Sequence, residues 1–511
     1  MKRALISVSD KTNIVWFAKE LQALNFEIIS TGGTKRVLEE HKIKTISVDS
    51  ITGFPEILNG RVKTLHPKVH GGLLSLRDNA EHVEEIKANN IEYIDLVCVN
   101  SYPFKETIAK DGTTFNQAIE QIDIGGPSML RSAAKNYQFV TVVTDINDYD
   151  QVISEIKEHG DTTLETKKQL SAKVFRKTAQ YDSFIASYLT KELDIKNPES
   201  VTLSFDFHQP LRYGENPHQQ AALYKQTDNP YSLLNATILN GKPLSYNNIQ
   251  DANSAINILK EFDQPTVVAL KHMNPCGVGS DNNIITAFNN AYMSDPVSIF
   301  GGIVSANREV TSDLAVEMSK IFLEIIIAPS FTSDALKILK KKKNLRLLKL
   351  DTNQLNTDVN QIVSVNGGVL FQNLDNYIVA IEDLNPVTDL KPSKNDLAEL
   401  YFSWKVVKHV KSNAIVVTKG TKTVGIGAGQ MNRVGAAQIA LKWAKEHGHT
   451  ENLTLSSDAF FPFDDVVRLA HTYGVTKIIQ PGGSIRDNDS IKACNDLGIK
   501  MVFTNNRHFK H

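Results

Sequence analysis

Short apolar runs alternate with stretches of helical spacing over residues 1–196. Ala4–Val8 reads as a strand, and Ile14, Val15, Phe17, Ala18, Leu21 and Leu24 share one helical face. Phe26–Ile29 is a second strand, from which Thr31–Thr34 leads into a helix over Lys35–His41. Asp95–Asn100 and Phe139–Thr144 are apolar almost throughout, as strands covered on both faces are. Strands alternating with helices predict a parallel, doubly wound sheet, whose ligand crevice lies at the carboxyl ends of its strands. A long helical stretch over residues 163–193 closes this part, and Leu193–Phe207, with Asn197-Pro198-Glu199-Ser200, reads as a boundary. The pattern then restarts, with strands expected at Pro265–Leu270, Val297–Val304, Ala414–Thr418 and Val424–Gly427. Two α/β domains are expected, 1–196 and 200–511, the second large enough for two subdomains; no fixed-period repeat is visible.

Composition narrows the class. Of 511 residues 41% are hydrophobic and 22% charged, the balance of a soluble globular protein. Fifty-six basic against 57 acidic residues leave a net charge of −1, with no overall footprint for nucleic acid or an anionic membrane. Cys98, Cys276 and Cys494 are too few for a disulfide framework or a four-thiolate zinc site. The apolar run after Met1 is shorter than the roughly 7–15 residues of a signal peptide, and no window approaches the ~18 apolar residues of a membrane span. A soluble, cytoplasmic, multidomain α/β protein is expected.

Several polar clusters follow the strands. In Ser30-Thr31-Gly32-Gly33-Thr34, glycines allow close approach and the N–H groups of a helix start favour an anion, although a plain turn with a threonine cap has the same composition. Ser9-Asp10-Lys11-Thr12 adds donors at the same sheet edge, which favours phosphate. Asn59–Gly72 packs Arg61, Lys63, Thr64, His66, Lys68 and His70 into one loop; the two histidines have helical spacing, but Pro67 and the lack of a nearby carboxylate argue against zinc. Asn100-Ser101-Tyr102-Pro103-Phe104 follows a buried strand, and Asp123 precedes a Gly125-Gly126-Pro127 turn into a helix bearing Arg131 and Lys135. Lysines, an aspartate and a tyrosine suit oxyanion stabilisation and proton transfer. Further on, Arg212–Gln219 is a polar turn, and Lys271-His272-Met273-Asn274-Pro275-Cys276-Gly277 directly follows a strand, an acid/base pair at a strand's carboxyl end. Two glycine-rich turns, Ile299–Gly302 and Gly425–Gln430, offer backbone to a ligand. The second falls short of a dinucleotide fingerprint, because Gln430 stands where the last glycine belongs.

This ordered set resembles one family along the whole chain: the bifunctional purine-biosynthesis proteins that combine AICAR formyltransferase with IMP cyclohydrolase. The resemblance rests on Ser7–Thr12, Ser30–Thr34, Arg61–Pro67, Gln121–Gly126, Arg212–Gly214, Asn216–Gln219, Lys271-His272, Gly425–Gln430 and Ser457–Phe463. It implies an N-terminal methylglyoxal-synthase-like doubly wound parallel sheet and a C-terminal formyltransferase region of two cytidine-deaminase-like α/β subdomains. It further implies formyl transfer from 10-formyltetrahydrofolate to AICAR, giving FAICAR, and cyclodehydration of FAICAR to IMP. Cyclisation falls to Lys63, Tyr102, Asp123 and Lys135. Its nucleotide sits among Ser9, Asp10, Lys11, Thr31, Gly32, Gly33, Thr34, Arg61, Thr64, Asn100 and Ile124. His272 becomes the base and Lys271 the oxyanion partner of formyl transfer, with nucleotide contacts at Arg212, Tyr213, Gly301, Glu324, Asn413, Arg433, Arg507 and Phe509. Val434, Phe460, Asp465, Ser484 and Ile485 fall on the folate side. No catalytic metal is implied, since glycine stands at 279 where a zinc deaminase has its second cysteine. Glu324 replaces a common aspartate, and Met273, Asn274 and Cys276 also depart from the family pattern. A homodimer with shared formyltransferase sites is the family habit. A nucleotide-binding regulatory protein is the rival reading, against which the intact Lys63, Lys135, Lys271 and His272 stand.

Overall fold

The computed structural model describes every residue except 101, 103, 111, 227–231 and 353–359, so Ser101 and Pro103 of the cluster after Asn100 lie outside the described residues. Two compact units divide at Ser204 and Phe205. No helix among the described residues is long and apolar enough to cross a membrane.

The first unit is built on five parallel strands, β1 (Lys2–Val8), β2 (Phe26–Ser30), β3 (Thr45–Ser47), β4 (Leu96–Asn100) and β5 (Thr141–Val143), in the order β3-β2-β1-β4-β5. Helices cover both faces, so Ala4, Leu5, Ile6, Val97 and Val142 lie fully buried and their runs are apolar without alternation. The glycines of Thr31–Thr34 fall inside the helix Gly32–Glu40, not ahead of it. Pro67 opens the helix Pro67–Leu74 instead of breaking one, as its fixed φ and missing N–H permit at a first turn. A 29-residue helix, Leu164–Glu192, closes the unit.

In the second unit one twelve-stranded mixed sheet runs, edge to edge, through Asn385–Pro386, Lys500–Phe503, Val475–Gln480, Leu453–Ser457, Ile415–Lys419, Lys422–Gly427, Asn274–Ser280, Thr266–Lys271, Gly302–Ala306, Leu323–Ala328, Arg346–Lys349 and Thr237–Asn240. Its first half holds β8 (Thr237–Asn240), β9 (Thr266–Lys271), β10 (Asn274–Ser280), β11 (Gly302–Ala306), β12 (Leu323–Ala328) and β13 (Arg346–Lys349). The second holds β16 (Asn385–Pro386), β17 (Ile415–Lys419), β18 (Lys422–Gly427), β19 (Leu453–Ser457), β20 (Val475–Gln480) and β21 (Lys500–Phe503). Reflected about the β10–β18 junction, every pairing and its direction recur: β9–β10 and β17–β18 antiparallel, β11–β12 and β19–β20 parallel, β12–β13 and β20–β21 parallel. The unit is thus an internal duplication, which a search for sequence periodicity does not reveal because the copies share topology and little sequence.

One shared detail does survive in the sequence. A Cβ on Gly277 or Gly279 would run into the Ala291 or Ala287 carbonyl of the helix Ile284–Ser294, and one on Gly425 or Gly427 into the Ala440 or Ala436 carbonyl of the helix Arg433–Glu446. Gly425-Ile-Gly427 is therefore a strand whose missing side chains let a helix lie against it, not a turn. The strand expected over Val297–Val304 is also shorter: residues 297–301 turn, and β11 begins at Gly302. Two further hairpins, β6 (Asp206–Leu211) with β7 (Ala221–Lys225) and β14 (Asn360–Val365) with β15 (Gly368–Asn373), stand apart from the main sheet.

Candidate active sites

In the first unit the strand order reverses between β1 and β4, and the carboxyl ends there carry Ser9 and Asn100. Asn100 Oδ1 accepts the amides of Ser9 and Asp10 at 2.6 and 3.1 Å, while its Nδ2 donates to the Asp10 carbonyl at 3.0 Å. Asp10 in turn accepts the hydroxyl and amide of Thr12, bonds that hold its carboxyl below the usual carboxylate range. The Thr34 hydroxyl is buried between the amide and carbonyl of Val8, at 3.0 and 2.9 Å, so it ties its helix to β1 and leaves the first-turn amides as donors. Two ammonium groups converge on that helix start. A Cβ on Gly32 would lie 3.4 Å from Lys63 Nζ, and one on Gly33 3.9 Å from Lys11 Nζ. Partial positive charge at a helix N-terminus beside two lysines makes an anion site.

Lys63 also pairs with Glu56 at 2.7 Å, and Arg61 with Glu120. Thr64 meets the next element, since a Cβ on Gly125 would lie 2.7 Å from its Oγ1. There Asp123 accepts the Gly126 amide at 2.9 Å and donates its own amide to the Tyr181 hydroxyl at 2.8 Å. Burial pushes the Asp123 carboxyl above the usual carboxylate range, against the pull of that Gly126 amide. Gly126 has to be glycine, because any Cβ would strike the Asp123 carboxylate. Ile124, next to Asp123 in sequence, is exposed, as is Tyr102 just past the end of β4. Lys135 sits in the last turn of the 11-residue helix Gly125–Lys135, roughly 15 Å along the axis from Asp123's end. Its neighbour Asn136 bonds the Leu73 and Ser75 carbonyls, at the far end of the helix Pro67–Leu74. His66 caps that helix, its Nδ1 accepting the Lys68 amide, and His70 Nδ1 meets Ser132 Oγ at 2.9 Å. Among the described residues no three His, Cys, Asp or Glu side chains gather as a metal site.

In the second unit Lys271 ends β9, Asn274 begins β10 opposite it, and His272 with Met273 forms a two-residue turn between them. Both turn residues have positive φ, 51° and 61°, which costs a non-glycine residue about 1–2 kcal/mol. His272 is exposed, and Lys271 Nζ donates to the Phe300 carbonyl at 2.6 Å. Gly301, at φ 71°, follows that carbonyl and donates to Phe322, which brings the start of β12 alongside. A cavity of about 520 Å³ opens beside the turn, lined by Lys271, His272, Cys276, Ile426, Lys442 and Trp443 among others. Burial pushes the Cys276 thiol up to about 12, which leaves it no nucleophile.

The remaining expected nucleotide residues fall into three groups. Asn413 and Arg433 are linked to Asp458, and Arg507 and Phe509 flank the His508 that meets it: Arg433 is buried, donating to Asn413 Oδ1 at 2.8 Å, to Ser457 Oγ at 2.7 Å and to the fully buried Asp458. The Arg507 guanidinium lies over the Phe509 ring at 4.7 Å, and the intervening His508 donates its amide to the Asp458 carbonyl. Glu324 is engaged with Arg346 at 2.6 Å. Arg212 lies over the Tyr213 ring, in a turn tied to the helix Tyr246–Leu259 by a bond from Asn247 to the Glu215 carbonyl. Of the folate-side positions, Phe460 and Ile485 are exposed, Val434 and Asp465 lie in the first turns of their helices, and Ser484 Oγ accepts the Arg486 amide. Sequence reasoning missed Asp458 and Asp251 as partners. Ser457-Asp458 at the end of a buried strand was a visible signal for the first; nothing in its own helix marks the second.

A helix-start anion site with a buried carboxylate in one unit, and a Lys–His turn beside a cavity in the other, define a two-site nucleotide enzyme. Residues 13–128 match the model of an MGS-like domain, and residues 133–443 that of the AICARFT/IMPCHase bienzyme. Curated relatives named bifunctional purine biosynthesis protein PurH, from Anoxybacillus flavithermus, Lysinibacillus sphaericus and Lactobacillus acidophilus, are each 56% identical over 100% of this chain and 100% of their own. The chain belongs to the AICARFT/IMPCHase bienzyme family: it is a bifunctional enzyme of purine biosynthesis, an AICAR formyltransferase and an IMP cyclohydrolase.

Proposed function

We propose that the second unit moves a formyl group from 10-formyltetrahydrofolate to AICAR through His272 and Lys271, and that the first closes FAICAR to IMP through Lys63, Tyr102 and Asp123. The observation that carries this reading is the turn that sets His272 on the rim of the cavity with Lys271 beside it. The AICAR amine is a weak nucleophile because its lone pair is delocalised into the ring. His272 takes its proton as the nitrogen attacks the formyl carbon, Lys271 stabilises the oxyanion, and N10 of the folate leaves. Proton movement is assigned to side chains, since Gly279 stands where a zinc deaminase needs a thiolate and packs against the Ala287 carbonyl. In cyclisation the carboxamide nitrogen attacks the formyl carbon, Asp123 accepts its proton, Lys63 and Tyr102 stabilise the formyl oxygen, and water departs. Lys11 and the amides at Gly32 and Gly33 hold the phosphate. Lys135, in the last turn of the helix Gly125–Lys135, is the fourth residue of the proposed cyclisation set.

Supplied with AICAR and 10-formyltetrahydrofolate, the protein is expected to release tetrahydrofolate and IMP in equal amounts; supplied with FAICAR, it yields IMP with no donor. Nucleotide binding in a calorimeter without turnover would favour the regulatory reading.

A cytoplasmic homodimer belongs to the same proposal. In the β14–β15 hairpin Ile362, Val363, Val365, Val369, Leu370 and Phe371 are all exposed. An isolated two-stranded hairpin is marginal in water, and an apolar patch of this kind marks an interface. The occupant fitting the family habit is a second copy. Leu370→Asp with Phe371→Asp is expected to shift the protein to monomers in sedimentation and to lower formyl transfer while sparing cyclisation. A monomer with full formyl transfer would rule out shared sites.

A further inference from the structure

Two-residue hairpin turns with positive φ at both central positions are normally made of Asn-Gly or Asp-Gly, because a side chain there meets its own backbone. In this protein the two positions are His272 and Met273. Neither is glycine, so the surroundings have to hold the shape. Asp251, inside the helix Tyr246–Leu259, reaches the turn: its Oδ1 accepts the Met273 amide at 2.8 Å. On the other strand Asn274 Nδ2 donates to the His272 carbonyl at 3.1 Å, and its Oδ1 accepts the Lys411 amide at 3.0 Å, two residues before Asn413. The Asp251 carboxyl is pushed up by burial and pulled back by the Met273 amide and the nearby imidazole, so it faces both turn residues.

We propose that Asp251 is a positioning residue for formyl transfer: from its helix it keeps the His272–Met273 turn in the left-handed form that sets the imidazole on the cavity rim. The inference rests on the reading of His272 as the base. Without the acceptor the turn relaxes towards ordinary φ values and the imidazole moves, while the first unit is untouched. Misplacement of about 1 Å costs about 10²-fold in rate.

Asp251→Ala is therefore expected to lower kcat for formyl transfer about 10²-fold, with little change in the KM for AICAR and none in FAICAR cyclisation. Asp251→Asn keeps an oxygen at the same place and should restore most of the rate. Met273→Gly in the Asp251→Ala background should do the same, because glycine adopts positive φ without support. A general loss of packing would be rescued by neither. Wild-type kcat in Asp251→Ala, or a loss that neither change restores, overturns the inference. Undiminished formyl transfer in His272→Ala would instead overturn the reading beneath it.

Discussion

Replacing His272 by alanine is expected to lower formyl transfer about 10³-fold, the ordinary worth of a positioned general base, and to leave FAICAR cyclisation at its wild-type rate. Three features set the size and the selectivity of the effect. His272 is exposed at a turn, so its loss opens no hole in the core. Asn413 and Arg433, the residues expected to meet the nucleotide, are held with Asp458 and Ser457, independently of the imidazole. AICAR binding should therefore survive, and the loss should appear in kcat rather than in KM. The residues proposed for cyclisation, Lys63, Tyr102 and Asp123, all lie in the other unit, which ends at Ser204. Steady-state assays of tetrahydrofolate release and of IMP formation from supplied FAICAR separate the two. A parallel fall in both activities in folded protein would refute the division of labour.

Asp123→Asn should do the converse, lowering cyclisation by about 10²–10³-fold while formyl transfer stays intact. The amide keeps an oxygen for the Gly126 N–H, so the helix start is preserved and only the proton acceptor is lost. Burial raises the Asp123 carboxyl, and its base form exists only above that raised value. The acid limb of kcat/KM for cyclisation should accordingly lie above the ordinary aspartate value of about 3.9 and should vanish in the variant. The stability sign runs the other way. A carboxyl with a raised folded-state pKa favours the fold fully below the unfolded value, and that contribution is lost as pH rises through the folded one. At neutral pH the buried charge is a burden, so Asp123→Asn should match or exceed the wild-type Tm while losing activity. A drop in Tm together with the activity would instead make Asp123 a structural cap.

Much of the framework was legible. Strands covered on both faces must be apolar at every position, so β1, β4 and β9 announce themselves as runs, and the polar residues that follow them fall at strand ends. Glycine-rich stretches were harder, since glycine serves equally where a ligand approaches and where a helix does. Gly425 and Gly427 admit a helix, and Gly425 also borders the cavity beside His272. Lys135 illustrates a different limit: spacing along the chain places it one helix away from Asp123, but a helix is a rod, and its two ends face different surroundings.

Residue order alone carried the alternation of strands and helices and placed polar residues after the strands, because local propensity and burial on both faces act through neighbouring positions. Which groups touch was settled by topology. Arg433 meets Asp458, Glu324 meets Arg346, and Asp251 meets Met273 only because strands and helices far apart in the chain are laid side by side. Those contacts depend on the path of the whole backbone, and no stretch of sequence holds that path.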